Sequence, residues 1–258
     1  MTIQYSTALR TFVGAYGSYK QALKGGVLNI YSGSVPASAD AALVAGYTLL
    51  SQVSLASGTW AAETLSSGTV TVAGSSGSIT NITVDGKEIL GTTCTYVDSP
   101  TNLATLVAAT INAYSPVLGA EYVATSSAAI VTITALPGTG TSPNALVVAT
   151  TVTGSVTATA ANMASGAAGA NGLTYAGCVA GVLSKGSGVW SGVNAASGTA
   201  TYFRLLSSVA DAGALSTTLM RIQGTCGISG ADYNMSSTTL TSGYTHTVDG
   251  FSLTLPAA

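Results

Sequence analysis

From Val27 onward, apolar residues recur at every second position in short runs, and Gly, Ser, Asp and Pro stand between the runs. Alternation of this kind sends successive side chains to opposite faces of an extended chain, whereas a helix needs a period of 3.6. Most of the chain is thereby committed to short β-strands joined by turns. Strands are expected at about 27–31, 47–55 and 69–73, and again near 189–193, 200–206, 218–223, 238–241 and 247–255. Short strands spaced by turn residues read as a mainly β fold, a β-sandwich or jelly-roll-like domain.

Two segments break the alternation. In residues 5–24, Tyr5, Leu9, Phe12, Val13, Tyr16, Tyr19 and Leu23 fall at helical spacing, with Arg10, Lys20 and Lys24 between them. One amphipathic helix is expected, weakened at Gly14 and Gly17 by up to about 1 kcal/mol each and stopped by Gly25-Gly26. Such a helix serves either as an arm toward a partner or as packing for its own domain, and the residues alone support both. In residues 79–164, Asp85-Gly86 between two β runs signals a tight hairpin, because both residues accept positive φ. Leu103, Leu106, Val107, Thr110, Ile111 and Tyr114 then mark a helix that starts at Ser99-Pro100 and stops before Pro116. Strands at 121–125, 129–135 and 145–153 complete a small ββαββ-like module, with 137–140 as a loop. The expected organisation is an N-terminal helical arm (1–24), a discontinuous β domain (25–65 and 168–258) and an inserted α+β module (66–167). A simple tandem of two domains is the alternative.

Only 6% of the residues are charged, with 7 Lys+Arg against 9 Asp+Glu, where an ordinary soluble domain has about a quarter. Seven scattered basic residues cannot neutralise a useful number of phosphates, so nucleic acid is not an expected partner. Mean hydropathy is +0.49, yet no apolar run reaches the roughly 18 residues of a spanning helix, and no membrane partner is expected. The start MTIQYSTALR lacks the basic and apolar regions of a secretory signal, so export by that route is not expected. So little charge is a poor way to keep a monomer dispersed, which makes a homo-oligomer the expectation.

Catalysis can be tested by inventory. The chain has 1 His, His246, and on a regular strand its side chain and that of Asp249 would point to opposite faces. No serine sits in a G-x-S-x-G elbow. Neither G-x-G-x-x-G nor G-x-x-x-x-G-K-[ST] occurs among the 31 glycines. The acids are isolated or at turn-like positions, where Asx geometry explains them. Cys94, Cys178 and Cys226 have no metal-ligand spacing and read as small apolar residues. The expectation is therefore no enzyme, no cofactor and no metal. Candidate contacts to a partner are Leu9, Phe12 and Tyr16 on the first helix, together with Trp60 and Trp190 in the similar contexts Gly-Thr-Trp and Gly-Val-Trp. A tryptophan can stack on a sugar or anchor a protein, although core packing is the favoured reading of both.

The segments GGVLNIYSGSVPASADAA, GVWSGVNAASGTATYFRLLS and LMRIQGTCGISGADYNMSSTTLTSGYTHTVDGFSLTLPA resemble a group of virion proteins of tailed bacteriophages. The stretch from ITNITVDGKEILG to ALVVATTVTGSVTATAANMASGA is similar to a module that recurs inside phage tail and appendage proteins. The resemblance implies a non-enzymatic structural protein on the particle exterior, assembled in the host cytoplasm. Capsid decoration (cement) or a neck–collar component is its sharpest form, with major capsid, neck or tail proteins as partners. A tail-fibre or baseplate receptor-binding role, or a tail structural one, is the alternative. No site residues come with it.

Overall fold

The computed structural model describes residues 3–117 and 122–254. It is mainly β, as the alternation predicts, and the chain divides into two units. The first contains Met1–Glu63 with Gly169–Ala258, and the second Thr64–Ala168. Glu121 and Leu255, the expected limits of two strands, lie outside the described residues.

Among the described residues, the first unit is built on an eight-stranded sheet. Its order is Gln4–Tyr5, Arg221–Gly227, Tyr202–Leu206, Val27–Ser32, Thr48–Leu55, Trp190–Val193 and Thr245–Val248, all antiparallel, with Tyr233–Asn234 added in parallel to Arg221–Gly227. Val27, Ile30, Leu50, Val53, Tyr202 and Ile222 are buried on it. Two ribbons, Val182–Ser184 with Ser252–Thr254 and Gly198–Thr199 with Thr239–Leu240, complete the layers. The single strand expected over 247–255 is thus two strands separated by Asp249-Gly250-Phe251, and each half pairs with a different partner.

The helix expected over 5–24 is corrected in two ways. It is two helices, α1 (Thr7–Tyr16) and α2 (Tyr19–Leu23), because Gly17 takes φ +71 and caps α1 onto Val13 O while Ser18 caps α2 through Gln21 N–H. Nor does it stand off as an arm. Gln4–Tyr5 pairs with Ile222–Gln223, the Ser6 hydroxyl accepts from Leu9 N–H and from Arg221 N–H, and Leu9 and Phe12 are buried. Asp40 reaches in from a loop to accept from Thr7 N–H (2.9 Å) and from the Thr7 hydroxyl (2.6 Å), placing a carboxylate at the start of α1 where the helix field favours it.

Among the described residues, the second unit holds two four-stranded sheets, one ordered Thr157–Ala164, Ser67–Ala73, Ile130–Ala135, Tyr122–Ser127, the other joining Val148–Gly154, Gly77–Val84, Lys87–Glu88 and Cys94–Thr95. Asp85 (φ 52) and Gly86 (φ 75) make the expected tight turn. Helix α3 (Pro100–Tyr114) is capped by Ser99 and buries Leu103, Val107 and Ile111 in a core shared with Val70, Ile79, Ile82, Val131 and Ile133. Its Asn112 also guards a sheet edge, donating to Ala124 C=O and accepting from Ala124 N–H, both at 2.8 Å. The amide thereby stands in for a neighbouring strand.

Candidate functional site at the seam of the first unit

The site is made by curvature. Thr245–Val248 ends the sheet on one side, while Tyr233–Asn234 is attached at the other. Even so, Tyr233 Oη and His246 Nε2 are 2.7 Å apart, so the sheet is rolled until its two ends meet through a side-chain hydrogen bond. His246 faces Gly192 across the ladder, and a Cβ on Gly192 would sit 2.1 Å from Gln52 O. That glycine is what lets the neighbouring strands approach closely enough to bend.

Three hollows converge on this seam. The inner one, about 430 Å³, is lined by Leu28, Phe203, Ile222, Val248, Phe251 and Leu253, with Asp232 and Tyr233 also in its wall. A second, about 390 Å³, holds Tyr233, Asn234, Ser236, His246, Thr247 and Asp249. The third, about 320 Å³, is lined by Asn194, Thr239, Thr241, Tyr244, Thr245 and His246. Burial pushes the His246 pKa below its ordinary value, against a smaller opposing pull from Asp249. Burial, then Cys226 and Asp249, push Tyr233 well up, and Cys226 itself is pushed up to about 12 by burial and Asp232. At neutral pH the seam is therefore a bond between a phenol and a neutral imidazole, suited to hydrogen bonding with uncharged groups.

A second polar cluster ties loops together inside the same unit. Arg221, fully buried, grips Asp211 through Nε (2.6 Å) and Nη2 (2.7 Å), and also donates to Ala39, Asp40 and Ala214 carbonyls. Arg204, 1% exposed, donates to Gln223 Oε1 (2.8 Å) and Ala41 O (2.7 Å). Glu63 is likewise buried, against the Ser208 hydroxyl. No sequence motif marks these arginines, since they occupy apolar strand positions and their partners lie in distant loops.

The candidate contact residues are not gathered into one surface. Leu9 and Phe12 serve the interior, and Tyr16, half-buried, lies against Phe12 with ring centroids 5.0 Å apart. Trp190 is fully buried against Tyr175 and Phe251 at 5.3 and 5.2 Å, which corrects its candidacy as an exposed contact. Trp60 is half-buried and donates from Nε1 to Gly25 O at 3.0 Å. The large aromatic that does stand out beside a hollow is Tyr244, 71% exposed, which sequence reasoning did not single out. His246 was visible as the chain's lone histidine, but its partner is Tyr233 and not Asp249. Among the described residues, no group of three or more His, Cys, Asp or Glu is placed to hold a metal, and no helix is long and apolar enough to cross a membrane. Compared with family models, with curated proteins and with solved structures, the chain matches none.

Proposed function

We propose that this chain is a non-catalytic structural subunit carried on the exterior of a tailed-phage particle, as a capsid decoration or neck–collar protein. Its partners are the major capsid, neck or tail proteins together with further copies of itself. The observation that carries the reading is the inward turn of the charge. Arg204, Arg221, Glu63 and the Asp211 side chain are interior, so part of a charge complement that is only 6% of the chain is withdrawn from the exterior. Short Thr and Ala side chains cover most of strands such as Thr157–Ala164. Surfaces of this kind approach one another without burying unpaired ions, which suits rigid contacts repeated by symmetry. The test is immunogold labelling of purified particles with antibody to this chain, beside light scattering of the free protein at low to high micromolar concentration. The expected result is gold at repeated exterior positions and a closed oligomer in solution. Label confined to lysate and absent from intact particles would sink the assignment.

A further inference from the structure

The hollow beside Tyr244 carries an inference independent of the particle assignment. Its wall is neutral and rich in hydrogen-bonding groups. Asn194, 4% exposed, has an Oδ1 without a partner, although its Nδ2 donates to Thr241 O at 3.1 Å. The hydroxyls of Thr239, Thr241 and Thr245 and the Nδ1 of His246 have no partner among the described residues. Thr245 and His246 also line the second hollow, so the two form consecutive stations along Tyr244 to Gly250. Among the described residues Thr245–Val248 is the last strand of its sheet on that side, so its outward backbone N–H and C=O groups have no ladder partner there. Volumes of about 320 and 390 Å³ fall at the small end of small-molecule sites.

No Lys or Arg lines either hollow to hold a phosphate or carboxylate, the Asp249 carboxylate in the second opposes an anion further, and the wall of the first carries no acid to hold a cation, so a ligand that spans both is best matched when neutral. It must supply many donors and acceptors at short spacing, and it must offer an apolar face to the Tyr244 ring. We propose that the edge from Tyr244 to Gly250, with Asn194, binds a neutral oligosaccharide, one pyranose ring lying on Tyr244 and the next beside Thr247 and Asp249.

The test uses the full chain labelled with ¹⁵N and titrated in the millimolar range with methyl glucoside, methyl galactoside, maltotriose and chitotriose. Sialyllactose serves as the charged control and glycerol as the hydroxyl control. The expected result is saturable shifts at residues 194 and 239–250 with at least one neutral sugar, stronger for a trisaccharide than for a methyl glycoside. Tyr244→Ala should weaken that binding about tenfold, the size one aromatic contact supports. Thr245→Val, which keeps shape and removes one hydroxyl, should weaken it less while leaving the fold intact. Shifts with glycerol equal to those with the sugars, no saturation with any neutral probe, or unchanged affinity in folded Tyr244→Ala would each overturn the proposal. Binding instead of an uncharged extended peptide along Thr245–Val248 would overturn it as well, and would reassign the edge to strand addition.

Discussion

At the scale of single residues, the buried Arg221–Asp211 pair and the His246–Tyr233 pair carry opposite lessons. Removing one member of a buried ion pair strands the other without water, so Asp211→Ala is expected to cost about 3–5 kcal/mol in urea unfolding. Double replacement of Arg221 and Asp211 by apolar residues should cost less than that, because no lone charge is left. His246 acts through pH. Its pKa is below the unfolded value of about 6.5 because burial disfavours the imidazolium. The native state then binds fewer protons than the unfolded one, so this contribution is present above pH about 6.5 and is lost as pH falls through the native pKa. The melting temperature should drop between pH 8 and pH 5.5 more in the native chain than in His246→Gln, and equal drops would refute the assignment. The thiols should also sort by environment. Cys178, exposed, should alkylate first, while Cys94, buried, and Cys226, with its pKa pushed up to about 12, should resist at neutral pH. Peptide mass spectrometry after brief iodoacetamide treatment checks this. None of these pairings was legible beforehand, since Tyr233 and His246 stand 13 positions apart and the link exists only once the sheet has rolled.

Whole elements were read best where local chemistry alone decides them. The α3 helix has a Ser cap, a Pro at its start and an apolar face at helical spacing, and it lies at Pro100–Tyr114 as those features require. The Asp85-Gly86 hairpin is equally local. The strand Thr157–Ala164 went unread because its alternation is of Ala against Thr and only Met163 is buried, so there is almost no apolar contrast to detect. The break between α1 and α2 was missed because Gly17 was counted as a weakness within one helix, whereas its positive φ makes it a terminator. Gly17→Ala should accordingly cost about 1 kcal/mol although open space surrounds the position. At the sheet edge, Asn112→Leu removes both bonds to Ala124, and about 1–3 kcal/mol should be lost. The exposed edge should also raise light scattering on heating, and a variant as stable and as monodisperse as the native chain would show that the edge needs no guard.

For the molecule as a whole, the inserted unit has a core drawn, among the described residues, from its own chain segment, from Val70 to Met163. Residues 64–168 expressed alone should therefore fold and melt in one cooperative transition, and failure to fold would mean that the insertion leans on its host. The two chain connections at the junction run side by side, with Ala61 bridged to Ala170 and Thr64 bridged to Ala167. The insert therefore hangs on two strands of polypeptide where a tandem domain would hang on one. A protease that nicks one connection leaves the units covalently joined through the other, and a pulling force is shared between both. Such a double suspension keeps the inserted unit tethered after a first cut.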